Sequence, residues 1–303
     1  MTGLGSTALG LGRTAADGGL DLEQETPPVD VLATRLARSE LLGQVPGVAH
    51  GVTGRVPNLG AAEGNVGYSP PRDVADAWAM RRRWCQAAGV NPDLLATVGQ
   101  VHGVEVLQAD GRDAGRGARP GSGRVGLGDA LITDQPGVVL MTLHADCLPV
   151  LLVDPDRPAV AAVHAGWRGT VAGIVGRTVR GMTDAFGSHP GRLVAFMGPG
   201  IGSCCYEVGP EVVGEWMERG VVAGTDARWA IRAKTTGATF DLKTANTLLL
   251  REAGVAEEHI DVHPDCTRCQ GNHWFSHRGQ GASTGRFGAM ISITASGTSR
   301  DIS

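Results

Sequence analysis

His102, Cys147 and His164 each stand where an apolar run breaks, and two imidazoles with one thiolate form a ligand set that suits zinc. Three protein ligands leave a fourth position for water, and zinc lowers the pKa of such a water towards about 7, making a nucleophile at neutral pH. Copper accepts the same ligand types. No fixed interval joins the three, and a histidine at a strand end more often makes a structural hydrogen bond, so the residues alone leave the set open. A competing candidate is Cys266-Thr-Arg-Cys269 with His273 and His277, which has the types for a Cys₂His₂ site. Only three residues separate Cys269 from His273, shorter than the loop such sites use. The chain also approaches the zinc-deaminase signature H-x-E with P-C-x-x-C, but departs twice, at His102-Gly-Val-Glu105 and Pro264-Asp-Cys266. Gly198-Pro-Gly-Ile-Gly202 lacks both nucleotide-binding glycine patterns and reads as a tight turn. Cys204-Cys205 read as small packed hydrophobes.

The elements that must position these residues are short. Apolar, β-branched runs at 138–143 and 148–153, bounded by Asp134-Gln-Pro-Gly137 and Asp154-Pro-Asp-Arg-Pro158, predict buried strands, with 159–163 a third. His144-Ala-Asp-Cys147 lies between the first two. His164-Ala-Gly-Trp-Arg-Gly169 follows the third and leads into Val171, Ile174, Val175, Thr178, Met182 and Phe186 at helical spacing. A strand, a Gly-flanked turn and a helix present backbone N–H groups to an anion, with Arg168 beside them.

Upstream, 30–44 predicts a short helix or a distorted strand. The glycine-punctuated loop from His50 to Gly60 and its continuation carry Arg55, Asn58 and Asn65, which could close over a ligand, although a merely solvated loop is the commoner outcome. The 71–88 segment predicts a helix with Val74, Trp78, Trp84 and Ala88 inward and Gly89 as its stop. Runs at 94–101 and 104–109 predict strands broken by Gln100-Val-His-Gly103. Residues 111–128, GRDAGRGARPGSGRVGLG, cannot form a core and read as a flexible surface loop or lid. No aromatics interleave its arginines, which argues against a nucleic-acid arm. Downstream, a strand at 193–197, helices from Pro210 to Gly220 and over 241–253, a strand at 259–263 and a final strand closing 284–294 follow. Strands and helices mix without a βαβ rhythm, predicting a mixed-sheet α/β sandwich in one domain over 29–294, with a disordered leader (1–28) and a polar tail (295–303).

Composition narrows the function classes. A 303-residue chain that is 42% hydrophobic buries a sizeable core. A net charge of −4 offers no broad attraction to nucleic acid. No run approaches the roughly 20 apolar residues of a membrane span. The first residues lack a basic start and a compact apolar stretch, so no secretory signal is expected and a cytoplasmic protein is. In that compartment the six cysteines are expected to stay reduced.

Gln100-Val-His-Gly103, Asp129-Ala-Leu-Ile-Thr133, Ala145-Asp-Cys-Leu-Pro149, His164-Ala-Gly-Trp-Arg-Gly169, Gly198-Pro-Gly-Ile-Gly202, Tyr206-Glu-Val-Gly209, Cys266-Thr267 and Thr284-Gly-Arg286 together resemble the multicopper polyphenol oxidoreductase, or laccase-domain, family. The resemblance spans about residues 45–294, and its members are also described as zinc-dependent purine nucleoside phosphorylases. It implies a sandwich similar to the catalytic domain of deamidating necrotizing-factor toxins, and zinc on His102, Cys147 and His164. It further implies phosphorolysis of adenosine, inosine, guanosine and methylthioadenosine, with adenosine deamination beside it. On that reading Asp146 or another acid assists proton transfer, Arg55 or Arg168 holds phosphate, and Asn65 and Gln100 join Arg55 in binding substrate. The family's early glycine-rich loop looks like Val52-Thr-Gly-Arg55 here without its double glycine, and the acidic residue expected after Asn65-Val-Gly67 is replaced by Tyr68-Ser69. Both departures touch the substrate loop more than the metal. The family's older label implies copper-dependent phenol oxidation, but nine histidines without a His-x-His pair fit a multicopper cluster poorly. A third implied role is a peptidoglycan-precursor editing factor.

Overall fold

The apolar runs are continuous rather than alternating because the sheets they build are covered on both faces. The computed structural model describes residues 29–219 and 227–294. Among these lie strands β1 (Val48–Val52), β2 (Leu95–Thr97), β3 (Val106–Gln108), β4 (Ala130–Thr133), β5 (Val139–His144), β6 (Leu148–Asp154), β7 (Ala159–Ala165), β8 (Val194–Met197), β9 (Glu207–Val208), β10 (Ile231–Ala233), β11 (Ala238–Phe240), β12 (Ile260–Val262) and β13 (Phe287–Ile293). They form a sheet of order β1-β13-β5-β2, a sheet of order β12-β8-β6-β7-β4-β3 and a small sheet β10-β11-β9. The first two are mixed: β2/β5, β3/β4 and β12/β8 run parallel, and their other neighbours antiparallel.

Alternate residues of β6 face different layers. Leu151 and Val153 point to the four-stranded sheet and pack with Leu140, Phe287, Ala289 and Ile291. Leu148, Val150 and Leu152 point the other way, towards Val175, Val179 and Met182 of the helix Ile174–Phe186 and Leu248 and Leu249 of the helix Leu242–Glu252. On the far side of the four-stranded sheet, Val139, Met141 and Met290 meet Met80, Trp84 and Cys85 of the helix Val74–Ala88. The layers therefore run helix, sheet, sheet, helix, the mixed α/β sandwich expected. Each fully buried Leu or Val contributes roughly 1.5–3 kcal/mol, enough to explain why β6 tolerates no polar position before Asp154.

Several elements differ from expectation. The helix Val74–Ala88 starts later because Asp73 caps it through Asp76 N, and ends as expected at Gly89, whose φ of 75° closes the last turn. Its inward face is Ala77, Met80, Arg81, Trp84, Cys85 and Ala88; Val74 is exposed, and Trp78 lies near the Arg82 and Arg119 guanidinium groups instead. Arg81 takes the place of an apolar residue because its Nε donates to Val66 O and its Nη1 to the carbonyls of Gly117 and Ala118. Helical spacing after His164 is interrupted at Gly173 (φ 82°), giving a short helix Trp167–Val171 and then Ile174–Phe186. Residues 30–44 hold two short helices, Val29–Ala33 and Glu40–Gly43, separated by a bridge from Ala37 to Val52. The arginine-rich 111–128 segment is tied to the free edge of β2: Thr97 N donates to Arg116 O, and Val125 N to Thr97 O. It orders through backbone bonds, which composition does not report. The expected end of the Pro210 helix at Gly220, the leader and the tail lie outside the described residues.

Candidate metal centre

The loop after β2, the turn joining β5 to β6 and the end of β7 converge. One ligand atom each from His102, Cys147 and His164 lies within 4.8 Å of the others. The two imidazole rings stand nearly perpendicular, 4.9 Å apart. The turns that deliver them carry non-glycine residues in the left-handed region, His102 at φ 59° and Asp146 at φ 85°, conformations that persist where the surroundings over-determine them. Gly166 closes against the trio: a Cβ there would stand 3.1 Å from both Cys147 Sγ and His102 Cδ2.

Asp129 supplies the determination. Fully buried immediately before β4, it accepts hydrogen bonds from the backbone N–H groups of Val101 (3.2 Å), His102 (3.0 Å) and Gly103 (2.7 Å), and from His164 Nδ1 (2.9 Å). One carboxylate thus shapes the turn presenting His102 and selects the His164 tautomer whose Nε2 faces the trio, as supporting carboxylates do for metal-ligating histidines. Burial pushes the Asp129 carboxyl up, but the His164 ring and the backbone donors outweigh it and hold it below its usual value. Burial likewise opposes charge on Cys147, yet His164 and His102 bring its thiol down to about 6. The His164 imidazole is pulled down by burial and lifted, more strongly, by Cys147 and Asp129 to about 9. The two imidazoles thus favour the charged form of Cys147, the thiolate that binds metal. His144 does not join: its Nδ1 lies 3.2 Å from Cys147 O and its Nε2 2.8 Å from Thr142 Oγ1, so both nitrogens serve the fold.

The trio sits in a cleft of about 1200 Å³ whose walls include Gln100, Tyr206, Arg278 and Arg286, with the 111–128 segment at its rim through Gly117, Arg119 and Arg124. Of the residues expected to act on substrate, Asp146 and Gln100 line this cleft, and Arg55, Asn65 and Arg168 do not. Asp146 accepts from Thr267 Oγ1 (2.6 Å) and Arg278 N (2.6 Å). Both ends of the Gln100 amide pair with the Leu143 backbone. Arg55 is bound to Glu63 and Gly271 O. Asn65 is buried, and its Oδ1 accepts from Gly67 N and Arg286 N, so it shapes the wall behind Arg286. Arg168 is exposed and stacks on the neighbouring Trp167 ring. The cleft is lined instead by Arg81, Arg119, Arg124, Arg278 and Arg286; the last two come from the Ser276 and Thr284 loops, and the Thr284-Gly-Arg286 motif was the signal for one of them. Cys266 and Cys269 do not gather His273 and His277. Their sulfurs meet Cys204 and Cys205, which correspondingly are exposed and half-buried rather than core residues.

The chain is a layered mixed α/β sandwich whose His102, Cys147, His164 trio, a group that could hold a metal ion, lines an arginine-walled cleft. The chain belongs to the multi-copper polyphenol oxidoreductase laccase family, whose profile matches residues 50–294. The purine nucleoside phosphorylase YlmD of Geobacillus stearothermophilus is 35% identical over 75% of this chain and 82% of its own length. The adenosine deaminase RL5 from an unknown prokaryotic organism is 37% identical over 65% of this chain and 74% of its own. The crystal structure of YlmD from Geobacillus stearothermophilus superposes with a TM-score of 0.77 at 33% identity, covering 83% of this chain and 93% of that one. Among the described residues no helix is long and apolar enough to cross a membrane.

Proposed function

We propose that the chain is a zinc-dependent purine nucleoside phosphorylase acting on adenosine, inosine, guanosine and methylthioadenosine, with adenosine deaminase activity at the same site. The observation that carries this reading is the His102, Cys147, His164 trio opening into a cleft walled by Arg278 and Arg286. The donor set fits zinc: one thiolate, one imidazole oriented by Asp129, and a third ligand on a turn that Asp129 also holds. When bound, zinc supplies Lewis acidity and acidifies a water at neutral pH.

The chain's own residues provide the rest. Arg278 and Arg286 offer cationic donors for inorganic phosphate, whose oxygen attacks the ribose anomeric carbon as the glycosidic bond breaks and its electron pair leaves with the purine, which takes up a proton. Asp146 sits where it can pass a proton, its two oxygens each keeping lone pairs beyond the bonds to Thr267 and Arg278. Gln100, spent on the Leu143 backbone, acts by shaping the cleft. In deamination water adds to the amino-bearing purine carbon and ammonia leaves, and Asp146 is again the nearest acid of the wall able to relay the proton. Purified, zinc-loaded protein given adenosine and phosphate is expected to release adenine, ribose 1-phosphate and inosine. Arg278→Ala and Arg286→Ala should raise the KM for phosphate more than that for nucleoside. Absence of all three products while zinc remains stoichiometric would overturn the proposal.

A further inference from the structure

Five cysteines remain outside the cleft chemistry; Cys85 is buried against the four-stranded sheet, and the other four form one cluster. Cys204 and Cys205, after β8, face Cys266 and Cys269, after β12, with all four sulfurs within 4.8 Å of one another. Cys204 Sγ lies 3.6 Å and Cys205 Sγ 3.4 Å from Cys269 Sγ. A zinc ion about 2.3 Å from each of four tetrahedral sulfurs would set them about 3.8 Å apart, so the spacing suits such an ion with little movement. The Cys-x-x-Cys half also carries the hydrogen bonds that a thiolate knuckle needs. Cys266 Sγ accepts from Gly202 N at 3.2 Å and from the backbone N–H groups of Arg268 and Cys269. Two cations stand by to offset the charge of a tetrathiolate. Arg268 reaches Cys205 O, and Lys243, held on Asp265 O, lies close enough for its charge to interact with Cys266 and Cys204.

We infer that Cys204, Cys205, Cys266 and Cys269 bind a second zinc ion in a closed, four-sulfur structural site. Its place in the fold gives it a task. Thr267 lies between two of the ligands, its N–H donates to Gly200 O (3.1 Å), and its hydroxyl donates to Asp146 Oδ1 (2.6 Å). A metal holding Cys266 and Cys269 against Cys204 and Cys205 therefore clamps the segment that fixes Asp146, the residue preceding ligand Cys147. A closed tetrathiolate leaves no position for water or substrate, which separates this site in kind from the cleft trio.

Zinc content and cobalt spectra test the inference independently of any catalytic activity. Full-length wild type purified under reducing, zinc-replete conditions is expected to hold two zinc ions per chain, and Cys147→Ala and Cys204→Ser/Cys269→Ser one each. Cobalt-loaded Cys147→Ala protein should show the intense thiolate charge-transfer and tetrahedral ligand-field bands of a four-sulfur site, a readout that survives even where the double-serine chain folds poorly. The inference is overturned if wild type holds one zinc while these four thiols react freely with a thiol reagent in the folded protein. It is equally overturned if they are recovered as a disulfide that excludes metal, or if the cobalt bands vanish with Cys147.

Discussion

Asp129→Asn would test whether one buried carboxylate organises the cleft trio. Its Oδ1 accepts from His102 N and His164 Nδ1, and its Oδ2 from Val101 N and Gly103 N. An amide of the same shape has one acceptor oxygen. With that oxygen at the Oδ1 position, the NH₂ group opposes the Val101 and Gly103 donors and displaces the turn carrying His102. With the amide reversed, the NH₂ group faces His164 Nδ1 and forces the imidazole into the tautomer whose Nε2 is protonated and cannot ligate. The first orientation strips two donors of their acceptor and the reversed one strips only His102 N, at about 1–3 kcal/mol each, a loss of roughly 1–6 kcal/mol in stability. Losing a supporting carboxylate also lowers metal affinity by about 10–100-fold. Urea unfolding with a chelator present reads the first quantity, and competition for zinc against a chromogenic chelator reads the second. An Asp129→Asn protein that keeps its zinc affinity within about threefold and its stability within about 0.5 kcal/mol would refute the reasoning.

Two further outcomes follow from single contacts. Gly166→Ala should weaken zinc binding while leaving metal-free stability nearly unchanged, since its Cβ would meet Cys147 Sγ and His102 Cδ2 at 3.1 Å; unchanged zinc affinity in the same competition assay would count against the packed geometry. His50 is buried, its Nε2 accepts from Ser39 N, and burial, helped by Arg38, lowers its pKa to about 4. The folded state therefore binds fewer protons than the unfolded chain between the ordinary value near 6.5 and about 4, so stability is full above the upper value and is lost as pH falls through that window, by up to about 3 kcal/mol. His144, held well below its ordinary value chiefly by burial, adds a slope of the same sign. The discriminating measurement is thus the difference in chelator-treated unfolding free energy, pH 7 against pH 4, between wild type and His50→Gln; identical slopes would remove His50 from the account.

Local order in the chain was readable where one physical rule acted alone. The β5, β6 and β7 runs were legible because strands covered on both faces must be apolar throughout, and the helix stop at Gly89 because a left-handed cap favours glycine. His102, Cys147 and His164 were visible as candidates because ligating side chains interrupt such runs, although spacing left their union open. Tertiary structure decided everything that depended on which chain ends meet. Asp129 and Arg286 stand in motifs that the resemblance rests on and Arg278 in none, but each gains its role only from the loops that fold onto it. The helix Val74–Ala88 turned a different face inward because buried Arg81 finds backbone carbonyls from distant segments, which periodicity counts as a polar residue out of place. The arginine-rich 111–128 stretch orders on the open edge of β2 through backbone bonds that composition cannot encode. Cys266 and Cys269 looked forward along the chain to His273 and His277, but β8 and β12 run parallel as neighbours and bring the loops at their ends together, so the sulfurs they meet are those of Cys204 and Cys205. Residue chemistry is written in the sequence; its partners are chosen by sheet topology, because a sheet joins strand ends that lie far apart along the chain.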